Sequence, residues 1–192
     1  MESLQVLLDR SAARHAHLCP RQVLGVRIGL LAGKALDLDL PQLDKRLFAF
    51  VECDGCGMGG IAVASGCYVE RRTLRVVDYG KLAATFVDTQ TGRAVRINPL
   101  PGSRGISAQL LPTNGDRWRA QLESYQHLPD EKLFNVQPVT LNVSLKKIIS
   151  EPGLRVICSA CGEEITNERE VTRDGRSMCR ACAGEAYYEV YN

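Results

Sequence analysis

The 192-residue sequence has little net charge, +2 from 24 Lys or Arg against 22 Asp or Glu. It therefore lacks the electrostatic footprint of a chain built to bind nucleic acid or an anionic membrane. It also lacks a long apolar run: the stretch Val23 to Leu40 is broken by Arg27, Lys34, Asp37 and Asp39, whereas a membrane-spanning helix needs about 20 apolar residues. The first ten residues, MESLQVLLDR, contain Glu2 and Asp9 and have neither the basic start nor the small-residue cleavage site of a secretory signal. A cytoplasmic protein is expected. No internal repeat, low-complexity tract, GxGxxG or P-loop pattern occurs, and no flavin or molybdopterin motif is seen. With 45% hydrophobic and 24% charged residues, the chain is not collagenous, disordered or a disulfide-dense toxin.

What the sequence does have is eight cysteines. In a reducing compartment these point to metal sites or reactive thiols rather than to four disulfides. Cys19, Cys53, Cys56 and Cys67 lie in the first third and Cys158, Cys161, Cys179 and Cys182 at the end, with 90 cysteine-free residues between the groups. The length suits one domain of about 150 residues followed by a small one, and we divide the chain at 1–150 and 151–192.

Hydrophobic periodicity predicts a helix from the cap Ser3 to about Arg14, and a second that starts at Pro20 and reaches about Leu36. Arg46 to Glu52 reads as a buried strand. A small-residue helix follows CDGC and ends at Gly66. Thr73 to Val77 reads as a strand, and Leu82 to Asp88 with Arg93 to Ile97 as a hairpin. PLPGSRG, residues 99 to 105, reads as an irregular linker. Asp116 to about His127 is predicted helical and Val139 to Leu145 a strand. His127 is expected at the surface, and Arg71 and Arg72 in a solvated turn. This order indicates an α+β domain rather than a doubly wound sheet.

At the end of the chain, Cys158-Ser-Ala-Cys161 and Cys179-Arg-Ala-Cys182 stand 17 residues apart, a spacing that fits a four-cysteine zinc site better than two disulfides or free buried thiols. Each pair can turn two thiolates toward one tetrahedral ion, with Gly162 letting the backbone fold round the sulfurs. So short a segment buries too little apolar surface to fold alone, so zinc should supply folding free energy. Four thiolates leave no open coordination position, and the ion should be structural. Residues 151–192 hold five Arg against eight Asp or Glu, a net of −3, while residues 1–150 hold 19 Lys or Arg against 14 Asp or Glu, a net of +5. An acidic finger is a poor phosphate binder. Its spacing and the phrase CGEEI resemble the DksA/TraR zinc fingers, without the long coiled-coil hairpin of DksA. We expect it to pack on its own domain or mediate protein contact, including dimerisation through Tyr187, Tyr188 and Tyr191.

In the first group, His15-Ala-His17-Leu-Cys19-Pro20 puts two imidazoles and a thiol within five residues. If extended, this segment would project His15, His17 and Cys19 to one side. Cys19 would sit at the N-cap of the second helix and Cys56 near the start of the third, positions that favour a thiolate. Three protein ligands with a free position would form a catalytic or substrate-binding site for zinc or another divalent ion; core or surface roles are the alternative. Cys67 is either a further ligand or a small buried hydrophobe. Asp78, Tyr79 and Lys81 form either a polar wall, with Lys81 binding an anion, or simply a turn.

HAHLCP, VECDGC, ASGC, RRTLRVVDYGK, ATFVD and TGRAVRI occur in the order seen in the FmdE family, named for its association with formylmethanofuran dehydrogenase, which this chain resembles over about residues 10 to 100. The resemblance implies a mixed α+β domain with a metal, generally zinc, near the histidine-cysteine motif. The family features fall on His15, His17, Cys19, Pro20, Glu52, Asp54, Cys56, Gly66, Cys67, Asp78, Tyr79, Gly80 and Lys81. We take His17, Cys19 and Cys56 as ligands, and His15 as an alternate ligand or as a partner that supports the ligands; Cys19, Cys56, Tyr79 and Lys81 are the candidate catalytic residues. Ala16 and Arg21 stand where the family usually has Gly.

The resemblance implies a zinc-binding protein that accompanies molybdenum or tungsten enzymes or acts by metal or thiol chemistry on a small substrate, which Arg21 would allow to be anionic. Two alternatives stand beside it. One is a thiol-disulfide protein using Cys53 and Cys56; the other is a non-enzymatic regulatory module. No nucleic-acid or membrane partner is expected.

Overall fold

A computed structural model describes residues 2–110, 116–149 and 152–191. The chain divides into two compact units, Met1–Leu141 and Asn142–Asn192. The first contains α1 (Leu4–Ala13), α2 (Pro20–Leu36), β1 (Leu47–Val51), α3 (Gly55–Ser65), β2 (Leu74–Val76), β3 (Ala84–Asp88), β4 (Ala94–Pro99), α4 (Ser103–Leu110), α5 (Arg117–His127), α6 (Asp130–Leu133) and β5 (Phe134–Val139). Its sheet runs β2-β1-β3-β4-β5. Only β1 and β2 are parallel, as the α3 crossover between them requires; the other pairs are antiparallel. This is the expected α+β class.

The core lies between the sheet and the α2–α3 pair, where Val23, Val26 and Ile28 of α2, Ile61 of α3 and Ala49 of β1 are fully buried. Glycine brings the two helices close. A Cβ on Gly25 would stand 2.2 Å from the Gly57 carbonyl oxygen, and one on Gly60 2.5 Å from that of Gln22. This seam holds the starts of α2 and α3, and so Cys19 and Cys56, near each other. Arg27, buried in α2, donates to the Tyr125 carbonyl (2.6 Å) and to Asp130 (2.5 Å), tying α5 and α6 to α2. Burial alone would raise the Asp130 carboxyl, but hydrogen bonds from Arg27 and Lys34 outweigh it and hold the pKa low.

Two predictions for the chain after residue 98 are corrected. The linker placed at 99–105 already contains the first residues of α4, which begins at Ser103 after a turn at Gly102. The last strand of this unit is not 139–145 but β5, which ends where that strand was expected to begin. The sheet tolerates Pro138 in β5 because β5 is its edge, where one face of the backbone needs no ladder partner. Of the alternating VTLNVSL only Val139 is strand, closing β5 opposite Ala94; residues 140–144 lie in no strand, and Val143 is half exposed.

The second unit contains α7 (Leu145–Ile149), the hairpins β6–β7 (Arg155–Ile157, Glu164–Thr166) and β8–β9 (Val171–Arg173, Arg176–Met178), and a helical turn at Ala181–Glu185. Of its described residues only Cys158, Ile165 and Ala183 are buried, too small a core to stabilise it without a further bond. No helix among the described residues is long and apolar enough to cross a membrane.

Candidate metal centres and an adjoining cleft

In the second unit each CxxC pair follows a hairpin strand. Gly162, at φ +76°, turns the chain so that its N–H donates to the Cys158 carbonyl (3.0 Å). The Cys179 N–H donates to the Cys158 sulfur (3.3 Å) and the Cys182 N–H to the Cys179 sulfur (3.4 Å). All four sulfurs lie within 4.8 Å of one another, with Cys161 and Cys179 4.0 Å apart. Zinc–sulfur bonds of about 2.3 Å in a tetrahedron need sulfurs about 3.8 Å apart, so the residues fit zinc. The thiols also require a cation to ionise together: backbone N–H groups lower Cys158 to about 6, whereas neighbouring thiols, Cys179 foremost, push Cys182 up to about 12. Among the described residues no other group of three or more His, Cys, Asp or Glu side chains converges as closely.

The first unit gathers its candidates by a different local geometry from the one predicted. His15 to His17 form a turn rather than an extended segment, with Ala16 in the left-handed region at φ +66°. The turn sets the two imidazoles edge to face, with centroids 5.1 Å apart, and brings His15 Nε2 to 3.1 Å from the Cys56 sulfur. The imidazole nitrogen that meets Cys56 is thus that of His15. At this distance His15 and Cys56 can bind one ion, and Cys19 lies near enough to Cys56 to perturb its thiol. Burial, then the hydrogen bond and charge of Cys19, raise the Cys56 thiol, against the thiolate expected from its place at a helix start. Two thiols sharing one pocket outweigh the helix dipole unless a cation joins them.

Gln22 positions Cys19. Only 1% exposed, its amide oxygen accepts the Cys19 N–H (2.8 Å), and its amide nitrogen donates to the carbonyl and hydroxyl oxygens of Ser11 in α1 (2.9 and 3.1 Å). Its legible signal is the capping-box spacing Cys-Pro-Arg-Gln, with Cys in place of Ser or Thr. Cys67 is fully buried, its thiol donates to the Leu47 carbonyl (3.4 Å), and burial raises it to about 11. It is the buried hydrophobe of the two roles considered.

A cleft of about 490 Å³ opens beside Cys19, lined also by Arg21, Cys53, Asp54, Asp78 and Trp118. Burial raises Cys53, Asp54 and Asp78 raise it further, and Arg21 opposes them. Trp118, half exposed on α5, shares this wall with Gln121 and Tyr125. These were not foreseen as site residues, because α5 reaches α2 only through long-range contacts, the Arg27 bonds and the packing of Tyr125 in the core among them. The DYGK turn hangs on Glu52, whose carbonyl accepts the N–H groups of Tyr79 and Lys81 (3.0 Å each), while its carboxylate takes a two-pronged bond from Arg96 (2.6 and 2.7 Å). Asp78 and Gly80 thereby line the cleft, whereas the Tyr79 side chain is 64% exposed. His127 is exposed; Arg71 is only partly so and donates to the Leu43 carbonyl.

Known proteins share both units. Residues 14–135 match the family model described as FmdE, molybdenum formylmethanofuran dehydrogenase operon, and residues 153–188 match the prokaryotic dksA/traR C4-type zinc finger. The chain is 28% identical over 206 residues to a probable S-adenosyl-L-methionine-binding protein of Archaeoglobus fulgidus, a match that covers 96% of this chain and 54% of that protein. It therefore spans about half the length of that relative. The fold resembles the crystal structure of a tungsten formylmethanofuran dehydrogenase FmdE-like protein from Syntrophus aciditrophicus, with a TM-score of 0.59 at 20% identity over 98% of this chain and 96% of that one. The chain belongs to the FmdE family and carries a C4-type zinc finger after the family domain.

Proposed function

We propose that this zinc-binding FmdE-family protein holds a second divalent ion, zinc or a related metal, with Cys19, Cys56 and His15, and His17 beside them. It acts there on a small substrate in the adjoining cleft, in the service of a molybdenum or tungsten formylmethanofuran dehydrogenase-type system. The observation that carries this reading is the 3.1 Å approach of His15 Nε2 to the Cys56 sulfur, between residues 41 positions apart that the α2–α3 seam brings together. His15, Cys19 and Cys56 would hold the ion, which would supply Lewis acidity to a substrate in the cleft. The protein's own part is to fix Cys19 through Gln22, to offer Arg21 at the rim and to line the cleft with Asp54 and Asp78. The finger serves protein contact, including self-association, and its Tyr187 and Tyr191 are 96% and 94% exposed.

Metal analysis of anaerobically purified protein tests the proposal. Wild type should carry two ions per chain, and Cys19→Ser, Cys56→Ser and Cys158→Ser one each. A single ion in wild type that survives Cys19→Ser overturns the first-unit site. The relative from Archaeoglobus points to a second ligand for the same cleft, S-adenosylmethionine. Trp118 offers a face on which adenine can stack, and Asp54 and Asp78 offer acceptors for ribose hydroxyls. Calorimetric titration of wild type and Trp118→Ala decides this point.

A further inference from the structure

A second cleft of about 380 Å³ adjoins the first, and the two meet along Leu24, Leu82, Arg104 and Tyr125. Their charge differs. The first sets Asp54 and Asp78 against Arg21 and the shared Arg104, whereas the second is lined by Lys81, Arg96 and the same Arg104 and by no carboxylate among the described residues. Arg96 is neutralised by Glu52, which it holds with two hydrogen bonds, and it donates a third to Asn98 (3.1 Å). Lys81 and Arg104 have no ion-pair partner among the described residues. Lys81 Nζ lies 6.0 Å from the centroid of the Tyr79 ring.

A second observation comes from the wall between the lobes. Tyr125 is 1% exposed, and its hydroxyl is buried with no hydrogen-bond partner among the described residues. The same residue lines both lobes. A buried hydroxyl costs free energy until a partner reaches it. Two cations without an ion-pair partner at one recess, and an unsatisfied hydroxyl on a residue of its wall, are complementary to an oxyanion, which a guanidinium can grip with two parallel bonds and an ammonium with one.

The structure assigns the second lobe to the anionic end, phosphate or carboxylate, of a small molecule whose other end lies beside Cys19. Lys81 and Arg104 supply the charge, and the Tyr125 hydroxyl at the junction supplies a hydrogen bond. The placement of the other end rests on the proposed substrate site; the anion subsite rests on its own residues.

The test is calorimetric titration of the full, zinc-loaded chain at low ionic strength with two probes, inorganic phosphate and glutarate. At least one binds wild type; phosphate alone identifies a phosphoryl group as the natural end, and glutarate alone a carboxylate. Lys81→Gln and Arg104→Gln each weaken binding about tenfold, the loss of one charge-assisted hydrogen bond, and the double variant abolishes it. Tyr125→Phe weakens binding without lowering the melting temperature of the free protein. Arg71→Gln, a cation outside the lobe, binds as wild type does. Failure of both probes to bind wild type, or undiminished binding by the double variant, overturns the assignment. If metal analysis finds one ion while anion binding still depends on Lys81 and Arg104, the metal reading falls and the subsite stands.

Discussion

Gly25→Ala tests whether the glycine seam sets the geometry of the metal site proposed for the first unit. The added methyl would lie 2.2 Å from the Gly57 oxygen, where ordinary contact begins at 3.4 Å, so α3 must retreat by about 1.2 Å or tilt. Alanine favours the helix by about 0.8–1 kcal/mol. Overpacking costs about 1–3 kcal/mol, and a clash with backbone rather than a flexible side chain belongs at the upper end. The net loss should be about 1–2 kcal/mol, which lowers the melting temperature by about 2–8 °C. Because the obstructed carbonyl belongs to the residue after Cys56, the same retreat pulls Cys56 from His15, and a misplacement of about 1 Å is enough to spoil a site. Gly59→Ala is the control: it lies on α3, the other helix of the seam, its Cβ would meet nothing within 4 Å, and it should match or exceed wild-type stability. The assay is thermal unfolding beside bound metal per chain. A Gly25→Ala protein as stable as Gly59→Ala, with full metal content, refutes the seam as the element that places Cys56.

Three further outcomes are expected. Asp88, bridged to Arg46 by bonds of 3.0 and 2.8 Å, has its carboxyl held well below the usual range first by that guanidinium, and Asp130 is also lowered. Their contribution is complete above the unfolded carboxyl value of about 4 and is lost as pH falls through the lower folded values, so urea midpoints should drop below pH 4, less steeply in Asp88→Asn. Chelation, or Cys158→Ser, should unfold the second unit while the first persists, seen as new proteolytic cuts confined to residues 152–191. At Ala16, held at φ +66°, glycine relieves about 1–2 kcal/mol of strain against about 0.4–1 kcal/mol of added unfolded-state freedom. Thermal scans should find Ala16→Gly as stable as wild type or more so, and Ala16→Val less stable.

The finger was legible in sequence because its information is local. Two CxxC turns and one glycine place four sulfurs, and the chain between them only has to return. The early helices and the β3–β4 hairpin were legible for the same reason: Ser3, Pro20, Gly66 and the Gln-Thr-Gly turn mark their ends within a few residues. Residues that depend on distant partners were not. Pro138 reads as a strand breaker until β4 makes its strand an edge, and α4 reads as a linker because its proline- and glycine-rich entry hides the helix that follows.

The sequence by itself determined the residue types of the centre proposed for the first unit, two imidazoles and two thiols near helix starts, and the zinc finger of the second. The tertiary structure decided which imidazole meets Cys56, because a left-handed residue turns the histidine segment where period-2 reasoning assumed extension. It also decided that Cys67 is core, that Gln22 aims Cys19, and that a basic recess walled by Tyr125 adjoins the thiol cleft. Each of these depends on the distance between helices and on which carboxylates already have partners, and neither quantity is written in local spacing.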